Sequence, residues 1–390
     1  MLAICWVAVA GAGYVVDLIR QTHEGLTNGA GRPFGDDFVN YWSAAFLAWH
    51  GRATDVYNWS AFHAFEESVV GAGLDFYHYS YPPVLLVLTA PLAFLGYLPA
   101  LAVWLLAGWL GFYLALRGAR PDRSALLLAL ATPAVFINAV GGQNGTWTAA
   151  LLGGGLSLLE RRPIVAGVLF GFLIYKPQFG LLLPIALVAG RNFGALFTAA
   201  VTAAALVLVS IPLFGPEIWV AYLHNAAILR EAVLENGVGV WHRMLSVFVA
   251  ARRLGADVPA AYGTQIVVAL AAAGTVAVAW YRDSPQPAKN TLLVLGTCLA
   301  TPYLQDYDLV IGAFVAIWLA SLYPAADMPK SVLIGAGLVL VVPLVASLLA
   351  TQTGYEFGPL FIAPAFVIAM QAVRAKSASE ERPKEIANNT

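Results

Sequence analysis

Charge is what this 390-residue sequence has least of: Asp, Glu, Lys and Arg make up 11% of it, where a soluble globular domain carries about a quarter. What charge there is nearly cancels, to a formal net of −1. No basic stripe is left for a polyanion to follow, so nucleic acid is excluded as a partner. Cysteine is nearly absent: Cys5 and Cys298 both lie in apolar runs and make neither a disulfide framework nor a metal site. His, Asp and Glu nowhere gather at metal-ligand spacing, so no metal or other cofactor is implied. The alternation of apolar and polar residues that an outer-membrane barrel needs is missing as well, which excludes a barrel. The stretch 1–19 lacks the basic start and cleavage site of a signal peptide and reads as a retained first helix.

What remains is apolar, and 60% of the residues are hydrophobic. Runs such as 193–214 and 331–350 are long enough, at about 1.5 Å per helical residue, to cross a hydrocarbon layer of roughly 30 Å. The expected fold class is an all-α polytopic membrane protein of about twelve transmembrane helices. Spans are expected near 2–19, 98–116, 124–141, 145–160, 163–176, 177–190, 193–214, 259–281, 288–303, 306–323, 331–351 and 357–373. Several are short and adjoin Pro133, Pro163, Pro177, Pro184 or Pro343, a pattern of kinked or broken helices around an internal cavity.

Short loops rich in Lys and Arg stay on the cytoplasmic side. Alternate loops here, together with the tail from Arg374 to Lys384, hold 13 of the 21 Lys and Arg. The opposite turns, at 141–145, 175–178, 301–308 and 352–358, are polar and aromatic with Lys176 as their single basic residue, and are expected to face out. Both termini are then cytoplasmic, in a cytoplasmic (inner) membrane, and the polar turns lie on the extracytoplasmic face. The apolar run 83–95 would invert this order as a full crossing. Its brevity, with Pro82, Pro83 and Pro91, predicts a half-depth or interfacial helix instead. The expected organisation is a single transmembrane domain over 1–374, with a large structured first outer loop at 20–97, a second outer loop at 215–258, and a polar cytoplasmic tail at 375–390. Within the first loop, 38–49 shows an amphipathic helical pattern suited to the headgroup zone.

Ionisable groups at membrane depth are costly, so each is weighed for a role. Asp36-Asp37 opens the 38–49 helix. One carboxylate would suffice to cap it, which leaves the pair as candidate general bases. Lys176 ends a span among the outward turns, either as a snorkelling lysine or as a cation for a phosphate. Gln143 and Asn144 sit in a turn that binds sugar hydroxyls or only reverses the chain. Tyr81, Gln305, Asp306 and Asp308 are further sugar- or acceptor-binding candidates, although either aspartate may serve only as a helix cap. His78, His242 and Arg243 are candidate phosphate contacts.

A series of short pieces runs through the chain in order: Asp37-Phe-Val-Asn-Tyr-Trp42, Gly51 with Val56-Tyr57, Tyr79-Ser-Tyr-Pro-Pro83, Gly142-Gln-Asn-Gly145, Ala166-Gly167 leading to Lys176-Pro177, Met244-Leu-Ser-Val-Phe248, Thr301-Pro-Tyr303 and Tyr307-Asp308-Leu309. The series resembles glycosyltransferase family 87. That resemblance implies a bundle of the GT-C type and transfer of a hexose, mannose in the family, from a polyprenyl-phosphate-sugar donor to a hydroxyl of an extracytoplasmic glycan or glycolipid. It implies inversion at the sugar and an aspartate base at the start of the first outer loop, matching Asp37 with Asp36 as its rival. The donor, the acceptor and membrane lipid are then the partners. A twelve-span secondary transporter or lipid flippase is the competing class, although here the polar groups gather at one membrane face and not at the bilayer midplane.

Overall fold

In lipid every backbone N–H and C=O must be satisfied within the chain, and a sequence with no barrel pattern can do that only as helices. The computed structural model describes residues 2–23, 25–27, 31–282, 284–371 and 373, so the tail expected at 375–390 lies outside the described residues. The structure is 78% helix, and no strand occurs among the described residues.

Among the described residues four helices, Tyr97–Ala119, Phe193–Phe214, Val258–Tyr281 and Lys330–Thr353, are long and apolar enough to cross a membrane. Arg123–Ala131 and Pro133–Val140 form a fifth candidate, a pair bent by 49°. Proline has no N–H to give and crowds the residue before it, so the helix breaks at Thr132, whose hydroxyl donates to the Leu128 carbonyl at 2.7 Å. The expected span 2–19 falls on Leu2–His23, of 22 residues, and others fall on shorter helices, among them Gly145–Leu158, Gln286–Ala300 and Gly312–Ser321. The chain is thus an all-helical, membrane-embedded protein.

Glycine lets these helices approach closely, as it does in membrane bundles generally. Gly167 and Gly171, four apart on the helix Pro163–Phe172, face Phe193–Phe214 so tightly that a Cβ would lie 2.5 Å from the Ala195 carbonyl oxygen and 2.4 Å from Thr198's neighbour one turn on, Thr202.

The segment 31–97 forms a second hydrophobic cluster of its own, built on Phe38, Tyr41, Trp42, Phe62, Tyr79 and Leu85. Its central helix, Phe38–Trp49, is buried at every position except Phe46 and Trp49. The reading of 38–49 as a surface helix in the headgroup zone is therefore corrected. Ala44, Ala45 and Ser43 make its supposed polar face small rather than charged, and neighbouring helices cover it. The run 83–95 is two turns, Val84–Leu88 and Ala90–Phe94, of five residues each, too short for a crossing of about 30 Å.

Candidate active site

The turn after Pro133–Val140 is the first fixed point of the site. Gly142 has φ +57, and a Cβ there would come within 2.2 Å of the Gly35 carbonyl oxygen. Only glycine lets the turn press against the chain that carries Asp36 and Asp37. Trp104 donates its indole N–H to the Gly142 carbonyl at 3.1 Å, and Tyr97 donates its hydroxyl to Phe34 O at 2.7 Å, so both sides of that approach are tied down.

Asp37 stands at the N-cap of Phe38–Trp49 but caps nothing: its side chain takes no hydrogen bond from the helix backbone. It accepts from the Gln143 side-chain amide and, at 3.4 Å, from the Asn40 amide one turn on. A third of the side chain stays exposed on a cavity of about 570 Å³. Burial of the rest, and then the charge of Asp36, push its pKa from 3.8 up to about 7, against the lowering pull of Arg243 and Gln143. Asp36 has φ +44, a left-handed conformation that Asp tolerates better than most residues, and receives the Tyr77 hydroxyl.

Arg243 is the cation at the centre. Its guanidinium makes a hydrogen-bonded pair with Asp306 at 3.1 Å and lies 3.7 Å from Asp36 and 4.0 Å from Asp37. Asp36, Asp37, His78, Tyr81, Gln143, His242, Arg243 and Gln305, eight of the expected site residues, line the cavity.

Four do not. Lys176 is 2% exposed and paired with Asp308, and its ammonium also donates to the Asn144 side-chain oxygen at 2.9 Å. It lies 4.6 Å from the centre of the Tyr307 ring. Its charge is matched by Asp308 behind the cavity wall. Asp308 and Asp306 are likewise engaged with Lys176 and Arg243, and Asn144 is buried with its amide donating to Tyr81 Oη at 2.8 Å and Tyr41 Oη at 3.0 Å. These residues form one chain of contacts that ends at the base position: Asp308 to Lys176 to Asn144 to Tyr41, whose hydroxyl donates to Gln143 Oε1 at 3.1 Å, and Gln143 to Asp37. His78 is held below the usual imidazole pKa by burial, and His242 by burial and then by Arg243.

Sequence reasoning missed Tyr41, Tyr77, Tyr307, Asn40 and Arg32, all on the cavity. Asn40 and Tyr41 carried a signal, since helical spacing of three and four from Asp37 puts them beside it.

The fold and this site define a membrane protein with a cavity in which a carboxylate, a cation and amide donors converge, the constituents of an enzyme. Residues 79–302 match glycosyltransferase family 87, so the chain belongs to that family and is a membrane glycosyltransferase acting on a sugar donor and an acceptor. No curated protein and no solved structure matches the chain. The matched stretch includes Tyr81, Gln143, Lys176 and Arg243 and stops short of Asp36, Asp37, Asp306 and Asp308.

Proposed function

We propose that this glycosyltransferase is a GT-C-like enzyme that moves a hexose, mannose by family resemblance, from a polyprenyl-phosphate-sugar to a hydroxyl of an extracytoplasmic glycan or glycolipid, with Asp37 as general base. The single observation that carries this reading is the state of Asp37: a carboxylate that serves no cap, titrates near neutrality and opens on the cavity beside Arg243. A base works best with a pKa near the operating pH.

In the reaction the acceptor hydroxyl gives its proton to Asp37 as its oxygen attacks the anomeric carbon. The bond from that carbon to the phosphate oxygen breaks on the opposite face, so the configuration inverts. The electron pair leaves with the polyprenyl phosphate, an anion that needs no general acid and is stabilised by a cation and hydrogen-bond donors. Arg243 is the cation in place, and Lys176 acts through Asn144 and Gln143 to hold Asp37 in position. The alternation of basic loops supports a reading in which this chemistry lies on the extracytoplasmic face of the cytoplasmic membrane, with both termini inside. No observation favours the transporter or flippase.

Purified protein in lipid nanodiscs, given a polyprenyl-phosphate-[¹⁴C]mannose and a mixed glycan and glycolipid acceptor fraction, tests the proposal. Asp37→Asn is expected to keep its melting temperature and lose roughly 10²–10⁴-fold in transfer rate. Undiminished transfer by that variant would remove Asp37 from the chemistry.

A further inference from the structure

One wall of the cavity has no place in the chemistry above. Opposite in character to the carboxylates and Arg243, it is built from Trp59, Phe76, Tyr77 and His78. Trp59 and His78 stack with ring centres 5.2 Å apart and planes within 11°. Phe76 stacks on His63 at 4.0 Å and 13°. Phe76 nevertheless leaves 64% of its surface exposed, an arrangement in which one ring face is backed and the rest is offered.

The wall is fixed in place. The Trp59 indole donates to the Asn225 side-chain oxygen at 2.6 Å, and the amide of the same Asn225 donates to the Tyr79 carbonyl at 2.9 Å, so one residue clamps both strands of the chain that carry the aromatics. Asn58 caps the helix Trp59–Val70 by accepting from Ala61 N, which sets the indole at the helix start. Tyr77 turns its hydroxyl to Asp36 and thereby joins the aromatic wall to the acidic doublet. His78 Nδ1 is buried and has no hydrogen-bond partner.

A ligand for such a wall must show apolar C–H groups to the ring faces and hydroxyl groups to the polar residues at the rim. Aromatic faces carry negative quadrupole charge and attract the slightly positive C–H groups of a ring edge-on or face-on. A prenyl chain would meet the rings but would offer no hydroxyl to the Asp36, Asp37 and Asp75 carboxylates on the same cavity. A free phosphate would meet those three carboxylates and has no C–H face to lay on the rings. A pyranose satisfies both halves.

We propose that Trp59, Phe76 and His78 form an acceptor subsite that stacks a pyranose ring, so that the acceptor presents its hydroxyl to Asp37 from a sugar and not from a lipid glycerol or a protein serine. This rests on the transferase reading, and its test is a binding measurement that needs no turnover. Protein in nanodiscs is titrated, without donor, with octyl α-mannopyranoside, octyl β-glucopyranoside, octyl glycerol ether and a serine-containing peptide, and binding is followed by saturation-transfer NMR and tryptophan fluorescence. The octyl pyranosides bind, with saturation transfer strongest at the ring C–H protons, and the glycerol ether and the peptide do not. Phe76→Leu, at an exposed position that tolerates change, and Trp59→Leu each weaken pyranoside binding roughly tenfold. Trp59→Phe and Phe76→Trp, which keep a ring, restore it. Transfer is scored in Asp37→Asn and pyranoside binding in the leucine variants, so failure of the transferase reading and failure of the subsite are read from different measurements. Equal binding of octyl glycerol ether, preference for the peptide, or undiminished binding in both leucine variants overturns the subsite.

Discussion

Asp37 takes its character from burial first and then from four neighbours: Asp36 raises its pKa, while Arg243, Gln143 and Arg32 lower it. The group is protonated below about 7 and ionised above, and a base works only when ionised. The acid limb of kcat/KM is therefore expected to rise with pH and level off above about 7, and in Asp36→Asn, where a like charge is gone, the limb moves to lower pH. A pH profile fixed in position by both variants would separate the limb from Asp37. Glu66 is a second perturbed carboxyl, on the helix Trp59–Val70, with neither oxygen hydrogen-bonded and a pKa lifted by burial, and then by Asp37, to about 9. Its folded pKa lies above the unfolded value, so the folded state holds the proton more tightly and stability falls as pH rises from about 4.5 to about 9. Glu66→Gln removes that loss. Its melting temperature should exceed the parent's by at least about 2 °C at pH 8.5, and by less at pH 5; a gain that does not depend on pH would contradict a neutral buried acid. At this scale the sequence was legible where partners are near neighbours, as for Asp37, Asn40 and Tyr41. It was silent where they come from afar, as for Tyr77 on Asp36 or Tyr307 between Lys176 and Arg243.

Short helices carry the site more than long ones do. Lys176 lies where Pro163–Phe172 gives way to Pro177, and Asp308 lies within the turn Asp306–Ile311 that precedes Gly312–Ser321. Their pair joins two elements across 132 residues. Removing one partner of a buried pair strands the other charge and costs about 3–5 kcal/mol, whereas replacing both with apolar groups is close to neutral. Lys176→Met and Asp308→Leu should each lower the melting temperature sharply, and the double variant should regain most of it. Additive losses in the double variant would mean that the two do not act as a pair. Helix positions followed from apolar runs because lipid leaves a chain few alternatives. Helix lengths did not, since Pro133 divides the expected span 124–141 into two helices and the helix expected over 163–176 ends at Phe172. The 38–49 helix was misplaced because small residues such as Ala44 and Ala45 read as a weak face in sequence and act as a packing face in the fold.

The cavity draws its lining from Arg32 at one end to Tyr307 at the other, and no periodicity in a sequence states that such distant residues meet. Family membership was legible because its pieces recur in order, yet the matched stretch begins at Tyr79, beyond the carboxylates that open onto the cavity. Arg243 binds this molecule into one electrostatic unit, since Asp36, Asp37 and Asp306 all lean on it. An incoming phosphate competes with those carboxylates for a single guanidinium. By thermodynamic reciprocity, whatever the ionised Asp37 takes from the phosphate's affinity, the bound phosphate returns as a higher Asp37 pKa. Donor dissociation constants measured by titration at pH 6 and pH 8 should therefore weaken toward the alkaline side, and after transfer the newly protonated Asp37 leaves Arg243 to the departing phosphate until that proton is lost, so reionisation of the base is the step that lets the lipid go.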